Sequence, residues 1–262
     1  NTGTVAASGG LQLQASGAVS NGDGANLLGQ DIRIKGSGFS NQGTVYGQGG
    51  APGEIDINTT GGFSNSGGTL VAGGKLNIQS GGYSNSGGTV GSLGDVTLTM
   101  AGAYGATGNE LLALGHLQLN VGGINVGASE SWSYGGNSVA WTGTLHNQGS
   151  VAIAGSAKGS IHNEATGTRS GSGEPDVRDG TYEVPDYPAA LADLKEVRVV
   201  GYTDVAQRAQ LYIGGGFDGS LVNEASDASV GGGSIEQRKK NQTITWEGKN
   251  ADGDIVTVEG LA

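Results

Sequence analysis

The sequence predicts an all-β chain folded as a parallel β-helix, a three-sided solenoid of about 20 residues per coil with β-hairpin excursions in its C-terminal half. Three observations carry this. Two consecutive twenties from Gly61 to Met100, GGFSNSGGTLVAGGKLNIQS and GGYSNSGGTVGSLGDVTLTM, share GG, SNSGGT and an alternating apolar pair, Leu76/Ile78 and then Val96/Leu98. Glycine supplies 54 of 262 residues, roughly three times its ordinary share, yet there are only four prolines and no G-X-Y period, so collagen is excluded. Val, Ile, Leu and Thr alternate with Gly, Ser and Asn, the pattern of short strands and tight turns.

Taken in order, Asn1, Asn21, Asn41, Asn65 and Asn85 mark one register, and Ala106 takes that place one unit later. The apolar pairs keep step with them: Leu11/Leu13, Ile32/Ile34, Ile55/Ile57, Leu76/Ile78, Val96/Leu98 and Leu117/Leu119. A second apolar set is Val5, Val45, Leu70, Val90 and Leu111; a third, just before the Asn, is Val19, Phe39, Phe63, Tyr83 and Tyr104. Each unit thus supplies three short strands with inward residues at period two. Twenty residues at about 3.3 Å give a perimeter of roughly 66 Å, room for one layer of aliphatic side chains inside. The Asn column is expected to form a corner ladder, because an amide can donate to the coil above and accept from the coil below, and Asn tolerates tight corners.

After Val126 the period breaks. Residues 1–126 read as regular coils, and 127–262 as their continuation with insertions at 127–146, 165–210 and 236–262. GASESWSYGGNSVAWTGT reads as a projecting hairpin around Tyr134–Ser138,. Asn147, Asn163 and Asn223 return to the corner role. Pro188–Leu194 is the one helical turn expected, EVRVVGYTDVAQRAQLYIGGG reads as two strands around Gly201–Asp204, and QTITWEGKNADGDIVTVEG as a hairpin turning at Asp252-Gly253,.

Units such as SNSGGTLVAGGKLNIQSGG, and the later AQLYIGGGFDGSLVNEASDASVGGG, resemble the haemagglutinin repeats of two-partner-secretion exoproteins, the group of filamentous haemagglutinin and the contact-dependent growth-inhibition effectors. The resemblance covers residues 1–126 well, 145–167 and 209–235 moderately, and the remainder poorly. It implies a right-handed β-helical stalk, secreted to the surface of a Gram-negative bacterium through a partner outer-membrane transporter. Such a stalk acts in adhesion or carries a toxin to a neighbouring cell, and its partner is a surface receptor, protein or glycan. The NPNG- and NPNL-type motifs of the family's secretion domain and a nuclease-like toxin tail are missing, so neither activity is assigned to these residues. The chain opens mid-repeat without a signal-peptide run, as expected of a segment of something longer.

Charge and composition narrow the chemistry. A net charge of −11 argues against nucleic acid, which needs clustered Lys and Arg; a solvated strand edge accounts for Arg238-Lys239-Lys240. No apolar run is long enough to insert in a membrane, and without cysteine there is neither disulfide nor thiol nucleophile,. A single copy is expected, with no cofactor. His146 and His162 each precede a corner Asn, and only Glu164 offers a third metal ligand, so surface histidines are the expectation. Polysaccharide-processing β-helix enzymes are the alternative class, but Asp23, Asp31, Glu54, Asp56, Asp95 and Glu110 form no evident carboxylate column. The Asn250–Asp254 run reads as a hairpin turn rather than a calcium loop, and a recurring Thr4, Thr44, Thr69, Thr89 column is too narrow for an ice-binding face. No enzyme activity is expected. Binding is the stronger candidate: Trp132, Tyr134, Trp141 and Trp246 lie in the expected hairpins, where they either contact a receptor or glycan or cap and flank the core.

Overall fold

The computed structural model describes residues 1–48, 53–105, 110–173, 189–238, 240 and 243–261. The chain is a β-solenoid of about 10 turns with about 21 residues per turn. Its three faces are stacks of parallel strands. The first face runs Thr4–Ala6, Asn26–Gly29, Thr44–Gly47, Thr69–Ala72, Thr89–Ser92, Glu110–Ala113. The second starts at Leu11–Gln14 and continues without a break to Gln210–Glu224. The third starts at Ala18–Asn21, Gly38–Asn41, Gly62–Asn65 and Gly82–Ser84. Among the described residues no helix is long and apolar enough to cross a membrane.

The period-two pattern places one side chain per column inside. Ile32, Ile55, Leu76, Val96 and Leu117 are consecutive Cα partners on the second face, as are Ile34, Ile57, Ile78, Leu98 and Leu119 one pleat further. All ten are buried. On the third face the rings of Phe39, Phe63, Tyr83 and Tyr104 follow one another at centroid distances of 6.0, 5.3 and 5.6 Å. Stacking identical coils therefore builds one continuous core from side chains that no single coil could cover.

The asparagines stand at the corner after the third face. Asn1 donates to Asn21 (2.9 Å), Asn21 to Asn41 (2.8 Å), Asn41 to Asn65 (2.7 Å) and Asn65 to Asn85 (2.9 Å), each through Nδ2 to the next Oδ1. The same Nδ2 atoms also reach corner carbonyls, as Asn65 does at Gly68 (2.8 Å). This accounts for the SNSGGT motif. Gly67 and Gly87 turn the corner at φ 72° and 67°, and a Cβ on Gly68 would lie 2.6 Å from the Asn41 amide nitrogen. The ladder is interrupted on the fifth and sixth coils: Ala106 lies outside the described residues, and Val126 stands opposite Asn147. It resumes with Asn147 to Asn163 (2.7 Å), Asn163 to Asn223 (2.7 Å) and Asn223 to Gln237 (2.9 Å).

The C-terminal half differs from the sequence expectation in two places. Residues 127–146 are not a projecting hairpin. Ser131–Tyr134 and Ser138–Asn147 do not pair with each other; the first runs parallel to Ser150–Ile153, the second parallel to His116–Asn120, Gly123–Val126 and Ser156–Glu164. Gly135–Asn137 is an ordinary corner of the seventh coil, because alternation is the same for parallel and antiparallel strands and only the neighbours decide between them. Gly201–Asp204 is likewise no turn but the middle of one long strand.

That strand belongs to an excursion. The chain leaves the Asn corner at Ala165 and re-enters at Ala209, both fully buried. Between them lie β1 (Thr166–Ser172), a 3-10 turn at Ala189–Leu191 that falls within the expected helical turn and ends before Leu194, and β2 (Lys195–Gln207). After the solenoid ends, β3 (Thr243–Lys249) and β4 (Ile255–Leu261) join them in an antiparallel sheet of order β1-β2-β3-β4. Leu191, Ile244 and Trp246 form its own small core, with Leu194, Val197, Val199 and Val258 against them. The β3–β4 connection is the expected hairpin turn, closed by Asn250 Oδ1 accepting from the Asp252 and Asp254 amides (3.0 and 2.8 Å).

Two outcomes test this scaffold. Asn65→Ala strands the donor of Asn41 and the acceptor of Asn85, and should cost about 2–4 kcal/mol in chemical denaturation, whereas exposed Asn1→Ala should cost under about 1 kcal/mol because water replaces the amide. The phenols of Tyr83 and Tyr104 are buried without a hydrogen-bond partner among the described residues, and burial pushes both well above the ordinary tyrosine value, with the Tyr104 phenol adding to the effect at Tyr83. A group whose folded pKa is raised contributes stability that is complete below its unfolded value and is lost as pH rises through the folded one. Stability should therefore fall above about pH 10, and Tyr83→Phe with Tyr104→Phe should shift that loss upward while leaving stability at pH 7 equal or higher.

Candidate functional site

The four aromatics read as either receptor contacts or residues that cap and flank the core are core residues. Trp132, Tyr134 and Trp141 are 4%, 3% and 5% exposed in the solenoid, and Trp246 is 5% exposed in the appended sheet. Trp132 and Tyr134 are buried on the Ser131–Tyr134 strand that pairs with Ser150–Ile153, and Tyr134 Oη donates to the Ala113 carbonyl (3.3 Å), two coils being tied here by a side chain. Burial pushes the Tyr134 phenol up to about 12. Trp141 continues the column of Ile34, Ile57, Ile78, Leu98 and Leu119, and its Nε1 donates to the Ser160 carbonyl (3.0 Å). Its indole lies over Gly159, where any Cβ would collide with the ring. A large ring is accommodated here by a glycine one coil on. Rings so enclosed cannot stack on a sugar, so the contact reading of these residues is withdrawn in favour of packing.

The outward side of the second face is the most polar surface of the rod. Its columns run Gln12, Arg33, Asp56, Asn77, Thr97, Gln118 and Gln14, Lys35, Asn58, Gln79, Thr99, Asn120. One position earlier, at the corner, Asp31, Glu54, Lys75, Asp95 and His116 stand on successive coils. This follows because each precedes the paired Ile32, Ile55, Leu76, Val96 and Leu117. A carboxylate column interrupted by one lysine therefore exists, contrary to the sequence reading, which missed it because the coil length varies between Asp31 and Glu54. Two of its members hold backbone: Asp31 Oδ1 accepts from the Glu54 amide and Asp95 Oδ1 from the His116 amide, both at 3.0 Å. Toward the C-terminal end this face opens a groove of about 540 Å³, lined among others by His116, Ser138, Lys158 and Asp218. Lys158 and Asp218 pair across it at 2.7 Å, and the His116 ring contacts the Ser138 hydroxyl.

The corner histidines are neighbours, as their spacing suggested, with ring centroids 5.8 Å apart. His162 Nε2 faces Glu224 Oε2 at 3.4 Å. Glu164 is engaged elsewhere: Lys240 Nζ lies 2.6 Å from its Oε1 and 2.6 Å from the Ala165 carbonyl, and Gln148 donates to it at 3.3 Å. The Lys240 hydrogen bond is the main reason its carboxyl sits below the ordinary value. Lys240 is thus not part of a solvated edge but a tie between the chain leading to β3 and the corner where β1 departs; Lys239 lies outside the described residues. Among the described residues no group of three or more His, Asp or Glu is placed to hold a metal ion.

Trp132→Ala and Trp141→Ala should each cost about 3–5 kcal/mol and lower the melting temperature, with any binding lost only in proportion to folding. Comparison with protein-family models, curated proteins and solved structures returned no match to this chain.

Proposed function

We propose that this chain is a stalk and binding segment of a large secreted bacterial surface exoprotein, serving cell adhesion or contact-dependent delivery of a toxin. The observation that carries the reading is mechanical. The second-face sheet runs unbroken from the first coil to the ninth, over a single core cluster reaching from Leu27 to Leu221. A rod of stacked coils holds a distal element away from a surface without the entropic collapse of a flexible linker. The haemagglutinin-like repeats point to secretion through a partner outer-membrane transporter and to the surface of a Gram-negative cell. Receptor contact then belongs to the irregular half, on the appended sheet and the His116–Asp218 groove, since the tryptophans are enclosed.

A second reading, a β-helical polysaccharide-processing enzyme, draws on the Asp31–Glu54–Lys75–Asp95–His116 column. It is weaker because Asp31 and Asp95 already serve backbone amides.

One deletion tests the spacer role. Removing residues 62–81 joins Gly61 to Gly82, which occupies the register of Gly62; the rod should stay folded and shorten by about 4.8 Å, and an element displayed on it should keep its cell contact. Removing residues 62–71 breaks the register and should abolish folding and contact together. Release of new reducing ends or unsaturated sugars from acidic glycans, lost in Glu54→Gln, would replace this reading with the enzyme.

A further inference from the structure

The appended sheet and the rod do not share a core. The solenoid cluster reaches from Leu27 to Leu221, the sheet cluster is built on Leu191, Ile244 and Trp246, and neither contains a member of the other. Strands β1 to β4 pair only among themselves. The described joins are the crossing chain, at Ala165, at Ala209 and beyond Arg238, and polar contacts near the Asn corner. Two of these contacts come from the end of β2: Arg208 Nη1 donates to the Ala225 carbonyl (3.2 Å), and the Gln207 amide contacts the Ala128 carbonyl. Units of one chain joined without a large apolar interface move relative to each other by default. The pose of this sheet therefore depends on what else ties its root.

The strongest tie is at Lys240. Glu164 and Glu224 end two neighbouring parallel strands and are Cα partners, so two carboxylates stand one coil apart in the same column. Like charges directly opposite each other are destabilising. Arg238, the partner of Glu224 on the following coil, is turned to Glu236 at 2.8 Å. Lys240 Nζ fills the gap: it lies 2.6 Å from Glu164 Oε1 and 3.7 Å from Glu224 Oε1, and donates to the Ala165 carbonyl at 2.6 Å. Gln148 donates to the other Glu164 oxygen (3.3 Å), and His162 Nε2 faces Glu224 Oε2 (3.4 Å). The Lys240, Glu164 and Glu224 side chains are only 29%, 28% and 20% exposed, so this pairing is less screened than an ordinary surface one. Lys240 lies on the chain entering β3, and Ala165 immediately precedes β1. One ammonium thus holds the entry to one strand of the sheet against the exit to another, on two glutamates of the rod.

We propose that Lys240, Glu164 and Glu224 form an ionic lock that sets the pose of the appended sheet on the rod. With the lock closed the sheet is held in one orientation. With it open the sheet pivots on its connections at the corner, while both cores stay folded because neither uses the other. A locked sheet presents one surface at the side of the rod and loses little orientational freedom when that surface is bound. This consequence rests on the sheet being a presenting surface, as in the proposed function; the lock itself does not.

The chain has no cysteine, so Ser133→Cys on the rod and Thr257→Cys on β4, both exposed, take two spin labels and no others. Double electron–electron resonance on the full 262-residue chain should give one narrow distance distribution. Lys240→Met should widen it about twofold or more, Lys240→Arg should keep it narrow, and Lys158→Met, which removes the exposed Lys158–Asp218 pair, should leave it unchanged. Lys240→Met also leaves Glu164 and Glu224 opposed without a counter-ion, and should lower the melting temperature by about 2–4 °C. Adding Glu164→Gln and Glu224→Gln removes that repulsion, so melting should recover while the distribution stays wide. This triple variant separates the lock from a general effect on folding. A distribution already wide in the parent overturns the proposal, as does one that stays narrow in Lys240→Met or narrows again in the triple variant. A distribution widened by Lys240→Met with cell contact unchanged supports the lock and removes the sheet from the proposed binding surface.

Discussion

Each coil of this solenoid satisfies its backbone amides and carbonyls almost wholly through the coils above and below it. At a spacing of about 4.8 Å, a side chain that suits one coil must suit its neighbours at the same column, because each column is a continuous stack. The Asn corner is the strictest case. A buried amide with its donor and acceptor both met is stabilising, and one left without partners is costly. The ladder from Asn1 to Asn85, and again from Asn147 to Gln237, therefore sets the register to which the aliphatic columns conform.

Variation enters where this constraint is weakest. The ladder steps from Asn163 to Asn223 across 60 residues of sequence with the same 2.7 Å bond it makes from Asn147 to Asn163 across 16. The excursion that carries β1 and β2 is thus inserted at a corner without cost to the stack, since a corner needs only that its two ends meet. Inside the rod the opposite holds. Trp141 is admitted only because Gly159 vacates the volume above it, and close-packed interiors allow no other solution,.

The chemistry on the outside follows from the same geometry. Columns bring side chains far apart in sequence into rows, and so create the polar second face and the Asp31–His116 corner. Several charged groups on the outside are already committed: Asp31 and Asp95 to amides, Lys158 to Asp218 and, at the Asn corner, Glu164 to Lys240. Such commitments stiffen the rod and the root of the appended sheet, which suits a spacer that presents a surface at a distance.

Much was legible from residues alone. The period, the inward Leu/Ile/Val/Phe columns, the Asn corners including Asn147, Asn163 and Asn223, and the Asp252-Gly253 hairpin all follow from local patterns that tolerate one backbone solution. The fate of Trp132, Tyr134 and Trp141 did not. Alternation around Gly135–Asn137 fits a hairpin and a solenoid corner equally, and the difference lies in pairing with Leu117, Leu119 and Val151, which no local window contains. The carboxylate column was hidden for a related reason, a surplus of residues between coils that shifts spacing without shifting register. Local chemistry determined which residues turn, extend and face inward. Tertiary structure decided which strands became neighbours, and with that whether a tryptophan meets a partner or fills the core.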